Sequence, residues 1–130
     1  MTNEVSYSTA GLRAGLILGG FCGVTAIITA AAASHMTTNP FLGIISSLTM
    51  MHAAAFVALG LAYDKTGSKL VAFGMILIFA GLSLFCGDLG LRMFVGTKLF
   101  DKAAPTGGFL MILGWLNVLL AGLFGFYKRA

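Results

Sequence analysis

Four long apolar runs, at residues 14–33, 41–63, 70–91 and 106–127, constrain this chain more than any other feature. Each is close to the roughly 20 residues that a helix rising 1.5 Å per residue needs to cross the hydrocarbon of a bilayer. Lipid offers no partner for a bare N–H or C=O, and each unpaired group there costs several kcal/mol. The runs must therefore be helices. The breaks between them are short and polar: Ser34 to Pro40 after the first run, Asp64 to Lys69 after the second, Arg92 to Pro105 after the third. Short connections make neighbouring spans antiparallel. The expected fold class is all-α: one integral membrane domain over residues 1–130, built as an antiparallel four-helix bundle.

Composition excludes the alternatives. Hydrophobic residues make up 58% of the 130 and charged residues 9%. A globule of this size keeps much of its surface in water, and so few charges cannot cover it. A soluble enzyme, a disordered chain and a disulfide scaffold are all excluded on this ground. The formal net charge is +4, but the basic residues are scattered along the chain: Arg13, Lys65, Lys69, Arg92, Lys98, Lys102, Lys128 and Arg129. They flank apolar runs, as membrane-facing charges do, and form no nucleic-acid footprint. The expected environment is membrane lipid.

A cleaved signal peptide is the competing reading of the first run, since Ala31, Ala32, Ala33 and Ser34 resemble a cleavage site. The run is too long for the apolar stretch of such a peptide, and residues 1–13 carry no net charge. The favoured reading is a retained span. Four spans place both termini on one side, with Arg13, Lys65, Lys69, Lys128 and Arg129; Arg92, Lys98 and Lys102 lie on the other. The excess favours cytoplasmic termini. Tyr63 and Tyr127 end spans on that same side as interfacial anchors. Cys22 and Cys86 lie inside apolar runs and act as small hydrophobes, without a CxxC partner.

Close approach of helices in lipid needs small residues. The first span offers Gly15, Gly19 and Gly23; the second offers Ser46, Ala53 and Gly60; the third offers Gly74 and Gly81. In the fourth, Gly107, Gly108 and Gly114 lead toward Asn117, Ala121 and Gly125. The recurrence in every span predicts helix–helix seams.

An ionisable side chain within a span is a functional candidate by default. Asp88 and Arg92 are four residues apart, on one helical face, near the end of the third span. They read as an ion pair at the membrane rim or as an ion or substrate site. His52 lies deep in the second span and reads as a neutral imidazole donating a hydrogen bond to a neighbouring helix, or as a proton carrier or metal ligand. His35 closes the first span and reads as a cap or an interfacial residue. Trp115 lies well inside the fourth span, where its indole N–H needs an acceptor, and Asn117 offers a hydrogen bond between helices. Met36, Met50 and Met51 beside the histidines are ligand types suited to monovalent copper. However, His35 and His52 differ in depth by roughly 15 Å, which one copper ion or one haem cannot bridge. No metal, cofactor or catalytic residue is assigned.

The chain resembles the small bacterial membrane proteins grouped as domain of unknown function 423, the YgdD-like family. The resemblance rests on Pro105-Thr106-Gly107-Gly108 followed by Gly114-Trp115, on Gly81 to Gly87, on Met51-His52-Ala53-Ala54-Ala55, and on His35 closing the first span. It departs from the family pattern at Asp88 and in the length of the 92–102 connection. The resemblance implies four spans and an inner-membrane location, and it implies no activity. The expected role is a non-catalytic accessory or assembly subunit, partnered by other membrane subunits or by copies of itself. A small transporter using Asp88 and His52, and a metal or redox protein, are the alternatives.

Overall fold

Pro40 and Gly67 bracket the second helix, and Gly67 with Ser68 sets the turn that follows it. The computed structural model describes residues 9–36 and 40–125. They form α1 (Ala10–Met36), α2 (Phe41–Thr66), α3 (Lys69–Phe94) and α4 (Ala103–Leu120), with a π-helical turn at Ala121–Gly125. Tyr127, Lys128 and Arg129 lie outside the described residues, as do Thr37, Thr38 and Asn39. Among the described residues there is no strand. All four helices are long and apolar enough to cross a membrane.

Gly67 takes the left-handed conformation (φ 64°) and donates its N–H to Tyr63 O at 2.6 Å, ending α2. Ser68 then caps α3, its hydroxyl accepting from the Val71 N–H at 3.4 Å. The turn is two residues long, so the polar stretch from Asp64 to Lys69 is mostly helix. Apolar length marks only the part of a helix immersed in hydrocarbon, and the helices overrun it with polar turns. Pro105 sits in the first turn of α4, where a missing N–H removes no helical bond.

The helices pair as two hairpins. α1 lies along α2, α3 lies along α4, and the hairpins meet chiefly through α2 and α3. The core between the hairpins is filled by Cys22, Phe56, Leu59, Val71, Met75, Ile78 and Leu82.

Glycine sets how closely each hairpin closes. A Cβ on Gly15 would stand 2.6 Å from Phe56 O, and one on Gly19 would stand 2.6 Å from Ala53 O. Gly60 faces Gly11 and Gly15 from the other side, and the Ser46 hydroxyl donates to Ala26 O at 3.0 Å. In the second hairpin Gly74 pairs with Gly114 and Gly81 with Gly107, each meeting the other's carbonyl oxygen. The two pairs are seven residues apart on both helices, the repeat that keeps a left-handed seam in register.

Two of the glycines expected on these seams do not meet another helix. A Cβ on Gly23 or Gly108 would find nothing within 4 Å. The reason is helical drift. At 3.6 residues per turn Gly23 lies about 120° round the helix from Gly11, whereas Cys22 and Ala26 stay within about 60° of it. The α1 stripe therefore runs Gly11, Gly15, Gly19, Cys22, Ala26, one turn earlier than the expected triplet. Gly108 is rotated about 100° from Gly107 by the same geometry.

Candidate functional site

Asp88 is the most deeply placed charge in the described fold, with a relative exposure of 0%. Its Oδ2 accepts from Arg92 Nε at 2.9 Å, one helical turn on, and its Oδ1 accepts from the Leu99 N–H at 2.9 Å. The ion pair expected from spacing is present, and the carboxylate also holds the α3–α4 connection against the end of α3. Arg92 keeps a third of its side chain exposed, so the pair straddles the edge of the fold.

His52 is 5% exposed on α2. Its Nδ1 lies 2.7 Å from Leu48 O, and its Nε2 lies 3.2 Å from Trp115 Nε1 on α4. A carbonyl can only accept and an indole N–H can only donate. The ring must therefore carry its proton on Nδ1 and accept on Nε2. The imidazole thus receives the bond between helices, and its own donated bond stays within α2. Trp115 finds the acceptor that its place in the middle of the span demands. The rings of His52 and Phe56 lie 6.2 Å apart, and those of His52 and Trp115 lie 5.9 Å apart. His52→Phe is expected to keep this packing and cost about 0.6 kcal/mol, the typical worth of one interhelical hydrogen bond in lipid. The emission of the sole tryptophan should shift as its N–H loses the acceptor; unchanged emission would mean that the bond is not populated.

Asn117 does not bridge helices: its Nδ2 donates to Leu113 O on α4 at 2.9 Å. An amide can reach its own helix carbonyl one turn back, and here its Cβ packs against Gly74. His35 is exposed in the last turn of α1 and is not brought to His52. Among the described residues no group of three or more His, Cys, Asp or Glu could hold a metal ion. Cys22 and Cys86 are free thiols lining one cavity.

Asp64, which sequence reading leaves as a loop charge, does structural work of the same kind as Asp88. Its two oxygens accept from the Gly11 and Leu12 N–H groups at 2.8 and 2.7 Å. Those are among the first N–H groups of α1, which have no helical partner and carry the positive end of the helix dipole. The signal was present: Asp64 continues the α2 stripe of Ser46, Ala53 and Gly60 by one more turn.

Among the described residues, cavities lie along the looser contacts, three of them near the residues discussed above. One of about 410 Å³ lies among α1, α2 and α3, beside Cys22, Thr25, Thr49 and Cys86. A second, of about 370 Å³, lies between the first hairpin and α3, beside Gly11 and Met75. The third, of about 450 Å³, lies between α2 and α4, where His52 and Trp115 meet Leu48, Gly108 and Ile112. Asp88 lines none of the three. In the first cavity the Thr25, Thr29 and Thr49 hydroxyls are each bonded to a carbonyl of their own helix.

The sequence model of the family described as "Protein of unknown function (DUF423)" matches residues 29–108. The chain belongs to that family. The matched stretch contains His35, His52, Asp64, Asp88 and Arg92; Trp115 lies beyond it. The UPF0382 membrane protein of Staphylococcus aureus (strain bovine RF122 / ET3-1) is 28% identical over 113 residues, covering 82% of this chain and 92% of the relative. That of Staphylococcus saprophyticus is 28% identical over 112 residues, covering 81% and 92%. One from Staphylococcus epidermidis is 27% identical over 115 residues, covering 83% and 93%. No solved structure gives a significant match. With the four apolar helices, these relatives make this DUF423 chain a membrane protein.

Proposed function

We propose that this DUF423 protein is a non-catalytic accessory or assembly subunit of a larger complex in the bacterial cytoplasmic (inner) membrane. One observation carries the proposal: beside the cavity it shares with α2, α4 leaves a second face exposed, and glycine is open on it. Gly108, Ile112, Trp115 and Leu119 follow steps of four, three and four along it, the spacing of a left-handed helix seam. Gly108 has nothing within 4 Å of a built Cβ, and neither has Gly122 in the π-helical turn that follows. Glycine at such positions lets another membrane helix approach closely. Asp88 and His52 support the same reading, because their polar atoms are engaged in holding this chain together. The termini are assigned to the cytoplasm: Arg13, Lys65 and Lys69 flank the helix ends on that side and Lys128 and Arg129 follow the last span.

The test is the mass of the tagged full chain extracted from native membranes in mild detergent. A particle larger than one chain is expected, and Gly108→Leu should reduce it to the monomer while leaving the helical signal intact. A wild-type protein that leaves the membrane alone and monomeric would overturn the proposal. Mass spectrometry of the particle separates copies of this chain from foreign subunits.

A further inference from the structure

The connection between α3 and α4 carries an apolar cluster that the fold does not cover. Phe94, Val95 and Phe100 are 64%, 65% and 49% exposed. They lie at and beyond the end of a 26-residue helix, which at 1.5 Å per residue is about 39 Å long against a hydrocarbon core of about 30 Å. Set upright in a bilayer, a helix of that length brings the cluster to the boundary between acyl chains and headgroups. The α2–α3 turn at the other end of the molecule exposes no large apolar side chain.

The connection is also held in place. Asp88 fixes the Leu99 N–H, and the Leu99 side chain reaches back to Gly87, 3.5 Å from a built Cβ there. Gly96 makes the bend in the left-handed region (φ 81°), and Lys102, also left-handed (φ 67°), leads into α4. The connection carries a net positive charge. With Arg92 set against Asp88, Lys98 and Lys102 still outnumber Asp101. Arg92 uses only Nε on Asp88, and guanidinium has further N–H donors that suit phosphate.

We infer that residues 92–102 form a docking surface for anionic phospholipid, with Phe94, Val95 and Phe100 entering the acyl boundary and Lys98, Lys102 and Arg92 meeting headgroup phosphates. The pairing of buried apolar area with basic charge is what makes interfacial segments bind anionic membranes. This inference does not depend on the proposed subunit role, and its test uses the isolated protein in lipid.

The probe is the full chain carrying Trp115→Phe and Phe100→Trp, in lipid nanodiscs of phosphatidylcholine with or without phosphatidylglycerol. The introduced indole should be shielded from iodide and quenched by lipids brominated near the glycerol backbone. Native mass spectrometry should show phosphatidylglycerol retained over phosphatidylcholine. Each of Lys98→Gln and Lys102→Gln should lower that preference by roughly fivefold, the equivalent of about 1 kcal/mol per charge near an anionic surface. Strong iodide quenching in pure lipid would overturn the inference, and shielding that appears only in native membranes would assign the surface to a protein partner instead. A shielded indole with no preference for phosphatidylglycerol would overturn it as well.

Discussion

Adding one methyl group at Gly15 is expected to destabilise the protein by about 1–3 kcal/mol, the usual cost of overfilling a close contact, while the same change at Gly23 leaves stability unchanged or slightly raised. Both are glycines of one helix in an i, i+4, i+8 run with Gly19, so sequence alone treats them alike. In the fold, a Cβ on Gly15 would press on the Phe56 carbonyl, a backbone atom that cannot rotate away, while a Cβ on Gly23 meets nothing within 4 Å. Alanine also favours helix over glycine, by about 1 kcal/mol in water, so a loss at Gly15 must come from the seam. Equilibrium unfolding in mixed micelles, followed by circular dichroism, measures the difference. The second hairpin supplies an independent pair. Gly114→Ala would crowd the Ile78 N–H and the Gly74 carbonyl at 2.9 and 2.8 Å, and Gly108→Ala has open space. Equal effects within either pair would mean that the helices do not meet along these stripes.

Asp88→Ala is expected to release the connection between α3 and α4. The substitution takes the acceptor from the part-buried Leu99 N–H, at about 1 kcal/mol for a hydrogen bond whose donor can then reach water. It also leaves Arg92 without its ion-pair partner; that part is smaller, because Arg92 already reaches solvent with a third of its side chain. Trypsin reports the change directly, since Lys98 and Lys102 lie in the freed segment and are exposed. Cleavage after Lys98 should accelerate in Asp88→Ala while the four spans stay protected in their micelle. Asp88→Asn, which can still accept one of the two bonds, should fall between the variant and the wild type. Unchanged cleavage in Asp88→Ala would show that the carboxylate does not hold the loop.

The candidate site was legible in its residues more than in its bonds. Asp88 with Arg92 could be read from their spacing, because four residues along a helix bring two side chains to one face wherever the helix packs. The partner of Trp115 could not be read. His52 is 63 residues away in sequence, and nothing local to either residue specifies the rotation that brings α2 beside α4. Asn117 shows the reverse case. A bond across helices was expected from its depth, but its own carbonyl one turn back was nearer. The role of Asp64 is hidden in the sequence, because a charge after an apolar run looks like the end of a helix. Only the return of α2 alongside the start of α1 turns that charge into a cap.

The apolar run lengths by themselves determined four membrane-spanning helices, their antiparallel order and the all-α class, because lipid leaves a polar backbone no other way to satisfy its hydrogen bonds. The glycine content likewise determined that the helices would approach closely. Which glycines lie inside the seams was decided by tertiary structure. A helix turns 3.6 residues at a time, so a regular run of glycines drifts off any one face. The face that is buried depends on where the neighbouring helix lies, which no single segment of the chain encodes.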